Sequence, residues 1–228
     1  MIPTELRMED LSGLEKLQPT LILNLVFAQG DKDISRRTAL NRRLYIRLLD
    51  KALDEYKEAR EWIVAQIAEG QRNTDEMVRN GRYIYMFKFV DHMENCVSTV
   101  RRILRFLDIL KSNQDGLGFS RPVRKHIESL TTPIIDVRNV IEHMDEKIQN
   151  DIIQENEPVM LKVTDTQDGV MIAGQSLKFS TLSTLIKQLH TLGQSMAAWR
   201  AADDPNERQH ANKANSADAK KRAADLHR

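Results

Sequence analysis

The chain has 228 residues, enough for one domain of ordinary size with appendages or two small ones, and either buries a sizeable core. Its 34 Lys and Arg nearly balance 33 Asp and Glu, a formal net charge of +1, so any attraction to nucleic acid or an anionic surface must come from local patches. One cysteine, Cys96, excludes an internal disulfide framework, and the absence of any CxxC or Cys/His cluster leaves no structural zinc motif; a reducing, cytoplasmic setting with no metal or other cofactor is expected.

The opening "MIPTELRMEDLSGLEK" carries acids where a secretory signal has bases. The apolar run "TLILNLVFA" from Thr20 is about half of the roughly 20 residues a membrane span needs, so no membrane partner is expected. Residues 1–33 are read as an N-terminal extension. From Ile34 to about Glu69 there is neither Gly nor Pro, and Tyr45, Leu49, Ala52, Tyr56, Ala59, Ile63 and Ile67 recur at three- and four-residue steps, which predicts one long amphipathic helix. After a break at "EGQRNTDE" and "RNG", Met86, Val90, Met93, Val97, Val100, Leu104 and Leu107 predict a second. Two long helices joined by a short connection bury both stripes by packing antiparallel.

"NQDGLGFSRP" reads as a loop and "RPVRKHIESL" as a short helix. In "TTPIIDVRNVIEHMDEKI" Thr132 suits an N-cap and Pro133 the first helical position, and the helix is expected to run to about Ile153. Its core stripe is predicted from Ile134, Val137, Ile141, Met144, Ile148 and Ile152. "PVMLKVTD" and "GVMIAGQSLKFS" flank the turn "DTQDG" and predict a β-hairpin over about 158–179. Leu182, Leu185, Ile186, Leu189, Leu192, Met196 and Trp199 mark a last helix. Residues 201–228 contain one sizeable apolar residue, Leu226, and are expected to form a disordered or frayed tail. The expected fold is all-α, an up-and-down helical bundle over 34–200 with a small hairpin inserted before its last helix.

Chemistry-bearing residues concentrate on the helix that follows Pro133. Asn139 and His143 are four apart and share a face; Arg138 and Glu142 are four apart and able to pair. Basic clusters occur at Arg36, Arg37, Arg42, Arg43 and Arg47, at Arg101, Arg102 and Arg105, and at Arg121, Arg124 and Lys125, and they offer phosphate contacts for a polynucleotide. Arg36, Arg37, Arg42, Arg43 and Arg101 are the candidates for binding RNA. His92 and Glu94 lie about 160° apart by helical projection and make no local metal pair.

An Arg, a polar residue, a short interval and a His on a late helix of an all-α bundle resembles the HEPN superfamily. "RNVIEH", with Arg138, Asn139 and His143, is similar to its Arg-x4-His form. Arg-x4-His also occurs at Arg121 with His126 and at Arg222 with His227, but only "RNVIEH" combines the Asn with a strongly periodic helix. The resemblance implies an RNA-binding protein or a metal-independent endoribonuclease of defence or toxin type, acting as a homodimer whose motif helices face each other. In that reading His143 exchanges a proton, Arg138 holds the phosphate and Asn139 orients one of them. Some toxin members carry a Tyr two residues after the motif His for control by an antitoxin; Asp145 stands there in this chain. The residues also leave open a solvated polar face, and a noncatalytic helical module that binds a protein partner.

Overall fold

The spine of the fold is a pair of helices, α2 (Arg36–Gly70) and α4 (Met86–Lys111), in a computed structural model that describes residues 4–27, 31, 34–111 and 121–199. They run antiparallel: ascending α4 positions meet descending α2 positions, with the Tyr85 amide donating to Gln66 at 2.8 Å, His92 Nδ1 against Glu55 at 2.8 Å and the Cys96 thiol donating to the Ala52 carbonyl at 3.5 Å. Their predicted stripes are the buried ones except at the ends facing α3, where Ile67 and Met86 are half-buried. Tyr45, Leu49, Ala52, Tyr56, Ala59 and Ile63 face Val90, Met93, Val97, Val100, Leu104 and Leu107, and each large apolar side chain so buried contributes about 1.5–3 kcal/mol. Ser35 caps α2 by accepting the Thr38 amide, and a short helix α3 (Thr74–Asn80), capped by Asn73, fills the connection to α4.

The segment before α2 joins the same core. Met8, Leu11, Leu17 and Leu21 are buried, and α1 (Gln18–Phe27) packs on α2 and on the last helix, α8 (Phe179–Ala198). The buried Asp50 carboxylate of α2 accepts the Leu17 and Gln18 amides, both at 2.9 Å, so a negative charge sits on the positive end of α1. Arg42 is equally buried. Its Nε donates to the Met196 carbonyl at 2.7 Å, its Nη2 to those of Ala197 and Trp199, and its Nη1 pairs with Asp31 at 3.0 Å. Asn24 of α1 donates to the Ala197 and Trp199 carbonyls as well. The C-terminal carbonyls of α8, orphaned by the end of the helix, are thus met from two other helices.

Three features depart from the expected elements. The "GVMIAGQSLKFS" segment is two strands, because Ala173 and Gly174 both adopt positive φ, 39° and 75°, and turn the chain in two residues. The hairpin is therefore a three-stranded antiparallel meander of β1 (Lys162–Val163), β2 (Gly169–Ile172) and β3 (Gln175–Lys178). The helix after α5 (Arg121–Ser129) stops early: α6 spans Thr132–Glu142, His143 turns out of helical geometry at φ −113° and ψ 23°, and α7 (Met144–Gln149) follows. Beyond that kink the stripe leaves the core, so Ile134, Val137 and Val140 are buried while Ile148 and Ile152 are 55% and 59% exposed. α7 ends in a paired cap, Ile152 amide to Lys147 carbonyl and Asp151 amide to Ile148 carbonyl, with Asp151 left-handed at φ 54°. Finally, Thr132 lies inside α6; the cap position belongs to Thr131, whose hydroxyl donates back to the Ile127 carbonyl instead of capping. The tail 201–228 lies outside the described residues.

Replacing Arg42 with Met removes donors from buried carbonyls and from Asp31, and costs about 3 kcal/mol of unfolding free energy. Arg43, half exposed on the same Asp31, costs under about 1 kcal/mol when changed to Met; urea denaturation of both variants measures the contrast. Burial pushes the Cys96 thiol well above the ordinary thiol range, so the native protein is expected to leave a chromogenic disulfide reagent unreacted at pH 8 and to titrate one thiol per chain once denatured.

Candidate functional site

α6 lies between α4 and the sheet, packed on both, and this sandwich decides which of its residues reach solvent. Ile134 and Val137 point inward. Asp136, Asn139, Val140, His143 and Lys147, at steps of three, one, three and four, form the next stripe around the helix and continue across the kink into α7. With Gln175 at the start of β3 they line one open groove of roughly 400 Å³.

His143 sits at the break between α6 and α7, and the break keeps it on the groove. Its amide still donates to the Asn139 carbonyl and its carbonyl still accepts from Lys147, at 3.1 and 3.0 Å, so the kink bends the helix without severing it. His143 Nδ1 lies 3.2 Å from a Glu146 carboxylate oxygen. A carboxylate at Nδ1 favours the tautomer with its hydrogen there and leaves Nε2 to accept a proton. Glu146 is therefore the partner of the imidazole.

Arg138 goes elsewhere. It ion-pairs with Glu142 one turn on, its Nη1 donates weakly to Asn139 Oδ1 at 3.4 Å, and its side chain is only 15% exposed. It does not line the groove; its charge lies beside α4, where it joins Arg105 in acting on Arg101. Arg101 is held below the usual guanidinium range by burial first and then by Arg105 and Arg138, with Asp108 opposing. Its Nε is buried without a hydrogen-bond partner at the rim of a second cavity of roughly 280 Å³, shared with Thr131, Thr132 and Asp108. The motif's Arg and His thus occupy different flanks of one helix within a single chain.

The other sequence candidates separate further. Arg36 and Arg37 are exposed on the first turn of α2, remote in the chain from the groove helix, and Arg43 is exposed but paired with Asp31. Arg42 belongs to the interior: zero exposure and its bonds to three carbonyls and Asp31 remove it from the phosphate-binding set. His92 is bound to Glu55 across the α2–α4 seam and His190 Nε2 lies 2.7 Å from the Glu15 carbonyl, both structural arrangements. Among the described residues no group of three His, Cys, Asp or Glu side chains is disposed to hold a metal ion, and no helix is long and apolar enough to cross a membrane.

Sequence reasoning missed three polar groove residues. Lys147 is four residues beyond His143 and Asp136 three before Asn139, so helical spacing alone could have found both. Gln175 had no such signal, since its place depends on the unexpected turn at Ala173 and Gly174 and on β3 docking against α6. Comparison of the chain with protein-family models, curated proteins and solved structures finds no match.

Proposed function

We propose that the protein binds single-stranded RNA in the α6–α7 groove and cleaves it by attack of the 2′-hydroxyl on the adjacent phosphorus, without help from a metal ion. The observation that carries this reading is the convergence of Asn139, His143 and Lys147 on one open groove, with Glu146 behind the imidazole. A proton leaves the 2′-hydroxyl for His143 Nε2 as the 2′-oxygen bonds to phosphorus. The bond from phosphorus to the 5′-oxygen breaks, and that oxygen takes a proton from a second acid or from water. The products are a 2′,3′-cyclic phosphate and a 5′-hydroxyl. Lys147 supplies charge to the phosphate, and the Asn139 and Gln175 amides supply hydrogen bonds to sugar or base.

The divided motif supports a homodimer in this reading. A single chain turns Arg138 away from the groove that holds His143, so a second copy facing it across a twofold axis supplies the missing guanidinium and the second acid. A second reading, a noncatalytic module that binds a protein partner, is favoured by a separate feature. Met86, Phe87 and Val90 of α4 and residues 158–161 line an apolar trough of roughly 430 Å³ whose Phe87, Val159 and Met160 are exposed.

End-labelled RNA incubated with the protein and excess chelator is expected to give fragments ending in cyclic phosphate, and His143→Ala to slow their release by about 10²–10⁴-fold. Lys147→Ala is expected to weaken RNA binding and lower its salt slope by about one. Cleavage unaffected by His143→Ala removes the catalytic reading. RNA binding abolished by Phe87→Asp but untouched at His143 and Lys147 favours the second.

A further inference from the structure

α1 alone among the described helices contains no ionisable side chain. Leu21 and Asn24 face inward, and the outward face is Ile22, Leu23, Val26 and Phe27, whose exposure climbs from 56% and 58% to 65% and 80% toward the end of the helix. The apolar surface therefore protrudes, most of all at Phe27, instead of lining a trough. It is also rigidly held: Asp50 caps its start and Asn24 binds the last carbonyls of α8, so docking this face requires no folding.

The N-terminal end of α2 lies at the same end of the molecule, tied there by Asp31, which follows α1 and pairs with Arg42 and Arg43. Arg36, Leu40, Arg43 and Arg47 recur at four, three and four residues along an exposed stripe of α2, with Arg37 beside it. No described carboxylate forms an ion pair with Arg36, Arg37 or Arg47. A protruding apolar helix beside unpaired arginines is the combination that binds a negatively charged lipid surface.

We propose that this end of the molecule docks reversibly on an anionic bilayer, with Ile22, Leu23, Val26 and Phe27 entering the boundary between headgroups and acyl chains and Arg36, Arg37 and Arg47 meeting the lipid phosphates. The other occupants fit less well. A second copy placed face to face by a twofold axis offers the same patch back, whose described residues Ile22, Leu23, Val26, Phe27, Arg36, Arg37 and Arg47 include no carboxylate for the arginines. Residues 200–228 offer Leu226 as their one large apolar side chain and cannot cover the face. A nucleic acid satisfies the arginines and leaves the apolar residues in water. The near-zero net charge and the lack of a spanning helix among the described residues say nothing against this contact, which needs only a local patch.

The test is flotation of the full chain with vesicles of phosphatidylglycerol and phosphatidylcholine, against vesicles of phosphatidylcholine alone. The protein is expected to float with the anionic vesicles at low salt and to be released as salt rises. Leu23→Gln with Phe27→Gln, and separately Arg36→Gln with Arg37→Gln, are each expected to lower partitioning roughly tenfold or more. Both pairs are exposed, so unchanged circular dichroism and melting accompany the loss, and His143→Ala floats like the wild type. Failure of the wild-type chain to float, equal flotation with neutral vesicles, or variants that float undiminished overturn the proposal. So does a Leu23→Gln, Phe27→Gln chain that passes from dimer to monomer by light scattering while its lipid binding stays intact, an outcome that gives the face to a second copy.

Discussion

The buried guanidinium of Arg42 is the contact through which three helices hold one another. Burial alone works against its charge, and the site holds because Asp31 offsets that cost while three carbonyls at the end of α8 accept its hydrogen bonds. The same carbonyls receive Asn24 from α1. α8 is thereby kept at the correct height along α2, where the Tyr45 hydroxyl donates to the Leu189 carbonyl at 2.9 Å and Gly193 admits Leu49 and Leu17. A Cβ at Gly193 would come within 2.6 Å of one and 2.7 Å of the other. Apolar packing supplies most of the stability, and the polar clamp selects a single arrangement of otherwise interchangeable helical stripes.

The groove depends on that arrangement at one remove. α6 is pressed between α4 and the sheet, so its buried stripe is set by both neighbours. At the end of α6 the chain bends at His143, and the stripe that would have continued inward emerges as Ile148 and Ile152. The bend leaves a titratable imidazole at a point of local irregularity, backed by Glu146 and open on its other side. Irregular backbone beside a side chain able to exchange protons is a common property of functional sites, because regular packing rarely leaves such a group both oriented and accessible.

Polar surfaces of different character are segregated around the bundle. The groove on α6 and α7 mixes one ammonium, one imidazole, two amides and a carboxylate. The seam between α4 and α6 gathers Arg101, Arg105 and Arg138 with Asp108 among them. At the end occupied by α1, exposed apolar residues of α1 lie near the exposed arginines on the first turns of α2. A net charge of +1 conceals this division, since each patch is balanced by acids elsewhere, including those along the later half of α2.

The sequence by itself determined the elements whose signal is periodic and long. α2, α4 and α8 are legible because a stripe repeated over many turns has only one way to leave water, and the pairing of Arg138 with Glu142 and the shared face of Asn139 and His143 follow from the same helical spacing. The tertiary structure decided the rest. Arg42 reads like its exposed neighbours Arg36, Arg37 and Arg43 until α8 arrives to bury it, and Ala173 gives no local sign of the positive φ that divides one strand into two. The end of α6, the separation of Arg138 from His143, and the arrival of Gln175 beside Lys147 all depend on contacts that α6 makes with α4 and with β3. Spacing along one element records which side chains are neighbours on it; only contacts between elements record which of those neighbours remain in water.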